Sequence, residues 1–475
     1  MLERLRALEV LTRPEHPDLT AALAERWAEL PAHVKTRNQM LGRRTAGCEG
    51  THGVFPRCNL ACTPCYHAKE AQRVRTDGEH TRVEVDKQMA FLRGVRGPGQ
   101  NAQLIGGEVT LLSPDDHAAA LQAMIDHGRK PMSMTHGDFD YAYLEALALD
   151  PGTGKPRFAH LSFAGHFDSM MFGRSGIKKV EREEQLHPYR KAFCAMFDRL
   201  EEEHGVTSFL AHNMTVTPRN IDQIPEVLRE CRDYGYRMFS FQPAAFVGNQ
   251  ARWKDAYRQF STDTVWERIQ EGAGGELHDD AVLIGDKRCN RTAYGFYVGE
   301  RYVPLLDQDD ERDARWLDSF VAAFGGMDFV APPAVTAARV VRALAGEPKT
   351  LPRLVGFGAR VVARAGGLRA LRASPPRAVT YVMHSFMDAR TVRPAWEALE
   401  RGQTSHADPE VQATIERLRS CSYAMAHPED GRTVPACAQH SVLDPLENLK
   451  LMELLPAHDT DRGPDVPEAP TPVAG

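Results

Sequence analysis

The chain has 475 residues, a length typical of two or three domains, with 42% apolar and 26% charged residues. This balance excludes a largely disordered chain, and no apolar run approaches the roughly 20 residues that a membrane-spanning helix needs. The net charge of −6 is mild, so composition gives no indication of a nucleic-acid partner. Because the N-terminus is charged where a signal peptide would be apolar, we expect a cytoplasmic protein whose nine cysteines stay reduced.

Residues 1–47 contain no cysteine and are predicted to form short helices that cap the following domain. Shortly after them, Cys58, Cys62 and Cys65 form a C-x-x-x-C-x-x-C loop. Three thiolates on so short a loop can converge on one soft metal ion or cluster. The spacing leaves two interpretations open: a small zinc site completed by a further nearby ligand, and a 4Fe–4S cluster with three protein ligands and one open iron.

From about residue 53 onward, strand-like and helical patterns alternate six times. Strands are predicted at 102–106, 131–135, 159–164, 207–216 and 236–242. Ser113 is a predicted N-cap whose helix ends near Gly128, and a second amphipathic helix is predicted from Ile221 to Tyr234. Such alternation implies a parallel sheet, so the expected fold is α/β, a partial TIM barrel of the (β/α)6 type with functional loops at the carboxyl ends of its strands.

Two segments together resemble the radical S-adenosylmethionine (SAM) enzymes: the Cys58–Cys65 loop and, about forty residues later, Ala102–Glu108, which ends in Gly-Gly-Glu. In that family three cysteines hold a 4Fe–4S cluster whose open iron binds the methionine group of SAM. Electron transfer from the cluster then releases a 5′-deoxyadenosyl radical. The resemblance implies that Gly106, Gly107 and Glu108 bind SAM, because glycine allows a ligand to approach the backbone closely.

The resemblance also implies where the rest of SAM is held. The family has an aromatic residue before the last cysteine of the loop, in contact with adenine; here Pro64 stands at that position, and we expect Tyr66 to make the contact. Polar residues on the later predicted strands are further candidates for SAM binding: Ser162, Asn213, Thr215 and Gln242. The alternative is that each of these side chains satisfies a local backbone group.

The remaining six cysteines divide into two groups of three. Cys194 and Cys231 lie on apolar faces of predicted helices, where free cysteine packs as a small hydrophobe. Cys48 lies in a glycine-rich approach to the cysteine loop and is predicted to be a free thiol.

Cys289, Cys421 and Cys437 form a second candidate metal site. From Cys421 to Cys437 the chain reads cysteine, nine residues, glycine, five residues, cysteine. Apart from one extra residue after the glycine, this resembles the auxiliary-cluster segment of the SPASM and Twitch extensions of radical SAM enzymes. Asp430 and Gly431 predict a hairpin turn that brings the flanking cysteines together, with Cys289 as the natural third ligand. An auxiliary iron–sulfur cluster, a zinc site and unliganded thiols remain open.

A basic, amphipathic stretch from residue 334 to residue 383 stands out in this mildly acidic protein. It has a single acid, Glu347, and nine basic residues: Arg339, Arg342, Lys349, Arg353, Arg360, Arg364, Arg369, Arg372 and Arg377. Such a segment is typical of a membrane-surface element, and the alternative is a solvated helix with a core-facing stripe. The following Ser385–Ala389 segment, together with the Cys421–Cys437 run, resembles the tetraether-lipid synthases, which join unactivated lipid chains; their N-terminal rubredoxin-like cysteines are absent here.

These features predict a radical SAM oxidoreductase with a helical cap (1–47), a radical SAM core (48–285), a C-terminal auxiliary α+β domain (286–455) and a disordered tail (456–475). The expected cofactors are SAM and one or two 4Fe–4S clusters. The expected partners are a lipid or other apolar small-molecule substrate, a ferredoxin, flavodoxin or reductase as electron donor, and the membrane surface. The radical would abstract hydrogen from an unactivated C–H bond, with C–C bond formation as one outcome. The alternatives are a peptide- or small-molecule-maturing radical SAM enzyme and a non-catalytic zinc or iron–sulfur protein.

Overall fold

Strands and helices alternate along most of the residues that the computed structural model describes, which are 9–66, 69–247 and 260–457. The strands are β1 (Cys48–Gly50), β2 (Ala61–Cys62), β3 (Asn101–Leu104), β4 (Lys130–Thr135), β5 (His160–His166), β6 (Met171–Phe172), β7 (Thr207–Val216), β8 (Met238–Pro243), β9 (Asn290–Val298), β10 (Arg301–Pro304), β11 (Arg377–His384), β12 (Tyr423–His427) and β13 (Arg432–Pro435). The α-helices are α1 (Pro17–Glu29), α2 (Gly78–Arg96), α3 (Pro114–Asp126), α4 (Tyr141–Ala148), α5 (His187–His204), α6 (Ile224–Cys231), α7 (Thr262–Ala273), α8 (Glu311–Phe324), α9 (Pro333–Gly346), α10 (Thr350–Arg364), α11 (Gly367–Ala373), α12 (Ala389–Glu400), α13 (Pro409–Arg419), α14 (Ala436–Ala438) and α15 (Asp444–Leu454). Short 3-10 helices span Ala32–Val34, Lys69–Arg73, Val109–Leu111, Glu183–Leu186, Ile221–Gln223 and Pro428–Asp430, and a π-helical turn spans Gln439–Leu443.

One large sheet curls around a central cavity. Its middle consists of parallel strands in the spatial order β12-β1-β3-β4-β5-β7-β8-β11. Antiparallel strands lie at the two edges, β13 beside β12 and β9 followed by β10 beside β11. β2 and β6 pair separately. The predicted α/β fold with a partial TIM barrel is therefore confirmed.

The C-terminal region extends this sheet at both edges. β11 lies beside β8, and β12 lies beside β1 with Tyr423 opposite Cys48. The sequence predicted six core strands, but the parallel row has eight. Its two outer strands, β11 and β12, come from the region after residue 286. The region predicted as an auxiliary domain begins just before β9 and shares one sheet with the core.

The first strand of the core differs from the prediction. The alternation was predicted to begin at about residue 53, but the first strand is Cys48–Gly50 and residues 53–55 lie in a mostly buried loop. β1 carries Glu49, a residue type that strands disfavour, and its carboxylate forms a fully buried ion pair with Arg129 at 2.9 Å. A sequence pattern cannot reveal a strand whose charge is neutralised by a residue 80 positions away.

The helix boundaries follow the predicted capping signals. The Ser113 hydroxyl accepts a hydrogen bond from the backbone N–H of Asp116 and begins α3. Gly128, with φ of +70°, follows the end of that helix in the left-handed region that favours glycine. The second predicted helix begins as a 3-10 turn at Ile221 and continues as α6.

Cys194 and Cys231 belong to the main apolar core between the sheet and its helices. Both side chains are buried, and burial raises the pKa of Cys231 to about 12 and that of Cys194 further. The prediction that these two cysteines pack as hydrophobes is confirmed.

Helices α8 to α11 form a separate layer in the C-terminal region. Asp313 on α8 is buried and forms ion pairs with Arg360 and Arg364 of α10, which join the two helices. No helix within 9–66, 69–247 and 260–457 is long and apolar enough to cross a membrane.

The described residues include only part of the predicted N-terminal cap (1–47) and of the predicted tail (456–475). Residues 9–47 contain α1 and one 3-10 turn, and their role as a cap stays a prediction. The first eight residues lie outside the described part of the chain, as does the predicted tail from residue 458.

Candidate active site

A cavity of about 1250 Å³ lies between the inner face of the sheet and the layer formed by α8 and α10. Side chains of β3, β4, β5, β7, β8 and β11 form one wall, and Met40, Arg44 and residues of the two helices form the other. The cysteine loop and the Gly106–Gly107 backbone also line it. They lie beyond the carboxyl ends of parallel strands, which is where barrel folds place their active sites.

Cys58, Cys62 and Cys65 all line this cavity. Cys62 lies on β2, whose pairing with Met171 of β6 fixes the middle of the loop. Burial raises the pKa of the Cys58 thiol, and the neighbouring charges of Glu108 and Cys65 raise it further. Buried thiolates of this kind are stabilised by a cation, so the donor set fits a soft metal ion or an iron–sulfur cluster.

Gly106 and Gly107 are required by the close approach of the segment that leads into the cysteine loop. The Gly107 N–H donates to the Phe55 carbonyl at 2.7 Å, and the next N–H donates to the Arg57 carbonyl at 2.8 Å. A Cβ atom on Gly107 would lie 1.9 Å from the Arg57 carbonyl oxygen, and one on Gly106 would lie 2.5 Å from the Phe55 ring. The glycines therefore connect the end of β3 to the cysteine loop, and their backbone faces the cavity.

Glu108 has a fully buried carboxylate that organises the same segment from behind. It accepts hydrogen bonds from the N–H of Thr110 at 3.0 Å, from the hydroxyls of Thr110 and Thr135 at 2.6 Å each, and from the N–H of His136 at 2.8 Å. Three of these donors go to Oε1 and one goes to Oε2, so Oε2 retains acceptor capacity. Glu108 thus ties the end of β3 to the end of β4, and a direct contact with SAM stays a prediction.

His136 connects this carboxylate to the cysteine loop. Its Nδ1 accepts the Asp138 N–H at 3.0 Å, so the proton is on Nε2, which donates to the Asn59 Oδ1 at 2.7 Å. Burial lowers the pKa of His136 and favours this neutral form. Because Asn59 directly follows Cys58, the contact fixes the beginning of the loop.

A second polar group lies at the carboxyl ends of β5 and β7. His166 Nε2 lies 2.6 Å from the Asp168 carboxylate, which also accepts the N–H groups of Met170 and Thr215 at 2.9 and 3.1 Å. His166 and these hydrogen bonds outweigh burial and hold the pKa of Asp168 below its usual range. Of the predicted SAM contacts, Thr215 belongs to this group, with its hydroxyl 3.3 Å from His166 Nε2.

The other predicted strand residues also line the cavity. Asn213 is buried on β7. Ser162 lies four residues before the end of β5, deeper than predicted, and its hydroxyl is 3.3 Å from His160 Nε2. The Gln242 amide donates to the Ser240 hydroxyl at 2.7 Å, while its buried Oε1 has no hydrogen-bond partner within the described ranges. Their role in binding SAM stays a prediction.

Tyr66 joins the cysteine loop to the C-terminal region. Its hydroxyl donates to the Gly106 carbonyl at 3.2 Å, and its ring centroid lies 4.6 Å from that of His440. His440 is held in turn by the Asp444 carboxylate, 2.6 Å from its Nδ1. The predicted adenine contact of Tyr66 stays a prediction, and the observed contacts fix the position of its ring.

Cys289, Cys421 and Cys437 also line the cavity, near enough to one another for their charges to interact. Burial raises the pKa of Cys437, and the charges of Cys421 and Cys289 raise it further; the pKa of Cys289 rises to about 11 for similar reasons. The predicted turn is confirmed, since β12 and β13 pair across Gly431, whose φ is +64°. Arg417 Nε donates to the Cys289 sulfur at 3.1 Å and so places a positive charge beside this group.

The rest of the cavity is mainly apolar. Its wall includes Met134, Phe209, Met238, Trp316, Phe320 and Phe357. Two cationic side chains, Arg44 and Lys130, line it as well, and burial lowers the pKa of both. The Arg44 guanidinium lies 4.9 Å from the centre of the Phe329 ring.

Several residues of the site were not predicted. His166 and Asp168 follow the predicted end of the fourth core strand, and extending that strand by two residues would have placed them at the carboxyl edge. His440 and Asp444 have the i, i+4 spacing of a helical pair, which is a usable signal. Arg417 carries no local signal, because its contact with Cys289 spans 128 residues.

No protein-family model matches the chain, and no curated protein matches it. Solved structures are similar to it. SuiB of Streptococcus suis bound to S-adenosylmethionine is 18% identical over 47% of each chain, with a TM-score of 0.32, so this chain spans about half of the SuiB length. Native anSMEcpe with AdoMet and the Cp18Cys peptide is 11% identical over 66% of this chain and 99% of its own, with a TM-score of 0.32. Native anSMEcpe with AdoMet is 12% identical over 47% of this chain and 57% of its own, with a TM-score of 0.29.

Proposed function

We propose that this chain is a radical SAM enzyme that uses a 4Fe–4S cluster on Cys58, Cys62 and Cys65. One observation carries the proposal: the three cysteines and the backbone of Gly106 and Gly107 line one large cavity at the carboxyl edge of a parallel half-barrel. When bound, the cluster and SAM supply a 5′-deoxyadenosyl radical that abstracts hydrogen from an unactivated C–H bond.

The chain's own residues position these groups. Glu108 and His136 hold the β3 end, the β4 end and the cysteine loop in one hydrogen-bonded unit, so the loop is preorganised before any ligand binds. The Gly106–Gly107 backbone lines the cavity beside the loop, where we place the amino-acid part of SAM. Tyr66 supports the same wall through Gly106.

The apolar cavity supports a substrate with a long hydrocarbon portion. The wall beyond the cysteine loop is mainly apolar and includes several aromatic and methionine side chains. Arg44 and Lys130 can pair with an anionic group on the same molecule, since both are partly desolvated cations. We therefore propose a lipid or similar amphiphile, with C–C bond formation or a related modification at an alkyl carbon.

We also propose that Cys289, Cys421 and Cys437 hold a second iron–sulfur cluster. Their mutual proximity and the hydrogen bond from Arg417 to Cys289 support this, because a cationic donor stabilises a thiolate ligand. The electron donor is a ferredoxin, flavodoxin or reductase. We place the enzyme in the cytoplasm, where thiols stay reduced.

Anaerobic reconstitution tests both cluster assignments. Two 4Fe–4S clusters give about eight iron and eight sulfide ions per chain, and we expect the Cys58→Ala and Cys421→Ala variants each to lose about half. Reduction in the presence of SAM should release 5′-deoxyadenosine from the wild type and not from Cys58→Ala. Cys231→Ala is the matched control, since that thiol is a core residue. Stoichiometric zinc without sulfide, and no 5′-deoxyadenosine, would instead establish the non-catalytic zinc protein.

A further inference from the structure

The outer surface of α9, α10 and α11 is apolar over an unusual extent. Large aliphatic side chains are exposed there: Val341 at 65%, Leu351 at 52%, Leu354 at 36%, Val355 at 66% and Leu368 at 61%. The exposed positions between them include four alanines: Ala334, Ala337, Ala345 and Ala359. Soluble proteins rarely expose so many apolar side chains on adjacent elements unless the surface has a partner.

Several of the basic residues of this region contact the rest of the protein. Arg360 and Arg364 pair with the buried Asp313, and Arg353 contacts the Ser319 hydroxyl of α8. Further contacts, at the protein surface, are those of Arg339 with backbone carbonyls, of Arg342 with the N-terminal segment and of Arg377 with Asp233. These arginines hold the helical layer in place and leave the apolar side chains outside.

Three further cations lie on these elements, Lys349 directly before α10 and the other two on α11. Lys349, Arg369 and Arg372 are exposed, and none of them forms an ion pair or side-chain hydrogen bond with another residue of the described ranges. Glu347 is the one acid between residues 334 and 383. We call these three cations and the five aliphatic side chains named above the α9–α11 face.

We propose that the α9–α11 face docks on an anionic phospholipid bilayer. An apolar surface with unpaired cations on the same elements is complementary to a layer of hydrocarbon below negatively charged headgroups. A second copy of the chain is a poorer occupant, because two-fold pairing of the same face would bring its like charges together.

The inner side of the same helices supports this orientation. Phe357 of α10 stacks on Trp316 of α8 with ring centroids 5.1 Å apart, and both rings line the cavity. One helix diameter, about 10 Å, thus separates the proposed membrane surface from the apolar part of the cavity. The docking proposal rests on the exposed face alone and stands whether or not the cysteine loop carries a cluster.

Vesicle flotation of the full chain tests the proposal. We expect binding to vesicles of phosphatidylcholine with about one third phosphatidylglycerol, and binding on the order of 100-fold weaker for the Lys349→Gln/Arg369→Gln/Arg372→Gln variant, since each cation contributes about fivefold. Lys155→Gln/Lys191→Gln/Lys450→Gln removes the same charge from other exposed sites and should bind like the wild type.

A second pair of variants tests the apolar part. Val341→Asp/Val355→Asp should abolish flotation, while Leu446→Asp/Leu449→Asp, at exposed positions on α15, should not. Equal thermal unfolding midpoints establish that all variants are folded. Equal flotation of both aspartate pairs, equal binding to phosphatidylcholine alone, or a dimer in lipid-free solution that Val341→Asp/Val355→Asp dissociates would each overturn the proposal.

Discussion

Replacing Glu108 with glutamine tests whether this residue acts mainly by organising the protein around the site. The substitution keeps the shape of the side chain, removes the charge and turns one acceptor oxygen into an N–H donor. Oε1 accepts three hydrogen bonds and Oε2 accepts the His136 N–H, so the new amide group is best tolerated at the Oε2 position. There it faces the His136 N–H.

The cost follows from the donors that lose an acceptor. The His136 N–H and the new amide group are both left unsatisfied in a buried site, and each such donor costs about 1–3 kcal/mol. We therefore expect Glu108→Gln to lower the free energy of unfolding by about 2–6 kcal/mol. Thr110→Ala, which removes one hydroxyl hydrogen bond to the same carboxylate, should cost only about 1 kcal/mol.

Urea denaturation followed by circular dichroism measures the free energies of unfolding of Glu108→Gln and Thr110→Ala. A double-mutant cycle of Glu108→Gln with Thr135→Val measures the coupling energy between Glu108 and Thr135. Because the Thr135 hydroxyl lies 2.6 Å from Oε1, we expect a coupling energy of about 1 kcal/mol with Glu108. An unfolding free energy within about 0.5 kcal/mol of wild type for Glu108→Gln would refute the organising role. If SAM binding were lost while stability stayed unchanged, a direct ligand contact would be the better explanation.

Two further predictions concern stability. Burial lowers the pKa of His117 to about 3, so the stability that its neutral form contributes is complete above pH 6.5 and decreases as the pH falls toward 3. Between pH 6.5 and 5 we expect the free energy of unfolding to fall by about 2 kcal/mol in the wild type, and this loss should be absent from His117→Gln. An unchanged pH slope in that variant would contradict the prediction. Gly107→Ala should cost about 3 kcal/mol and reduce iron incorporation, because its Cβ would meet the Arg57 carbonyl at 1.9 Å. Gly94→Ala, on an exposed turn of α2 with open space around the new Cβ, should instead add up to about 1 kcal/mol, and similar effects for both would count against the steric argument.

The sequence predicted those parts of the fold that depend on local patterns. The β7 bounds, the Ser113 cap and the turn at Gly431 all follow from alternation, capping and glycine conformation. The cysteine loop could be recognised because its three ligands are close in sequence. What could not be predicted depends on distant partners: β1 requires the pairing of Glu49 with Arg129.

The inward direction of Arg360 and Arg364 is another such case. Charge and periodicity predicted a basic amphipathic segment at 334–383, but they do not show which side of a helix meets the core. Burial of Asp313 on α8 decides this, because a buried carboxylate needs cationic partners and Arg360 and Arg364 supply them. The apolar side of the helix is then left facing outward.

The pairing of β1 with β12 has a consequence for folding during synthesis. Cys48 lies opposite Tyr423, so the two residues are 375 positions apart (423 minus 48). While the ribosome synthesises the intervening chain, β1 remains an unprotected edge strand next to the emerging cysteine loop, and long-range pairing of this kind is slow. Loss of β12 by C-terminal truncation would therefore leave an aggregation-prone edge, and chaperones that cover nascent sheet edges should increase the yield of the full chain.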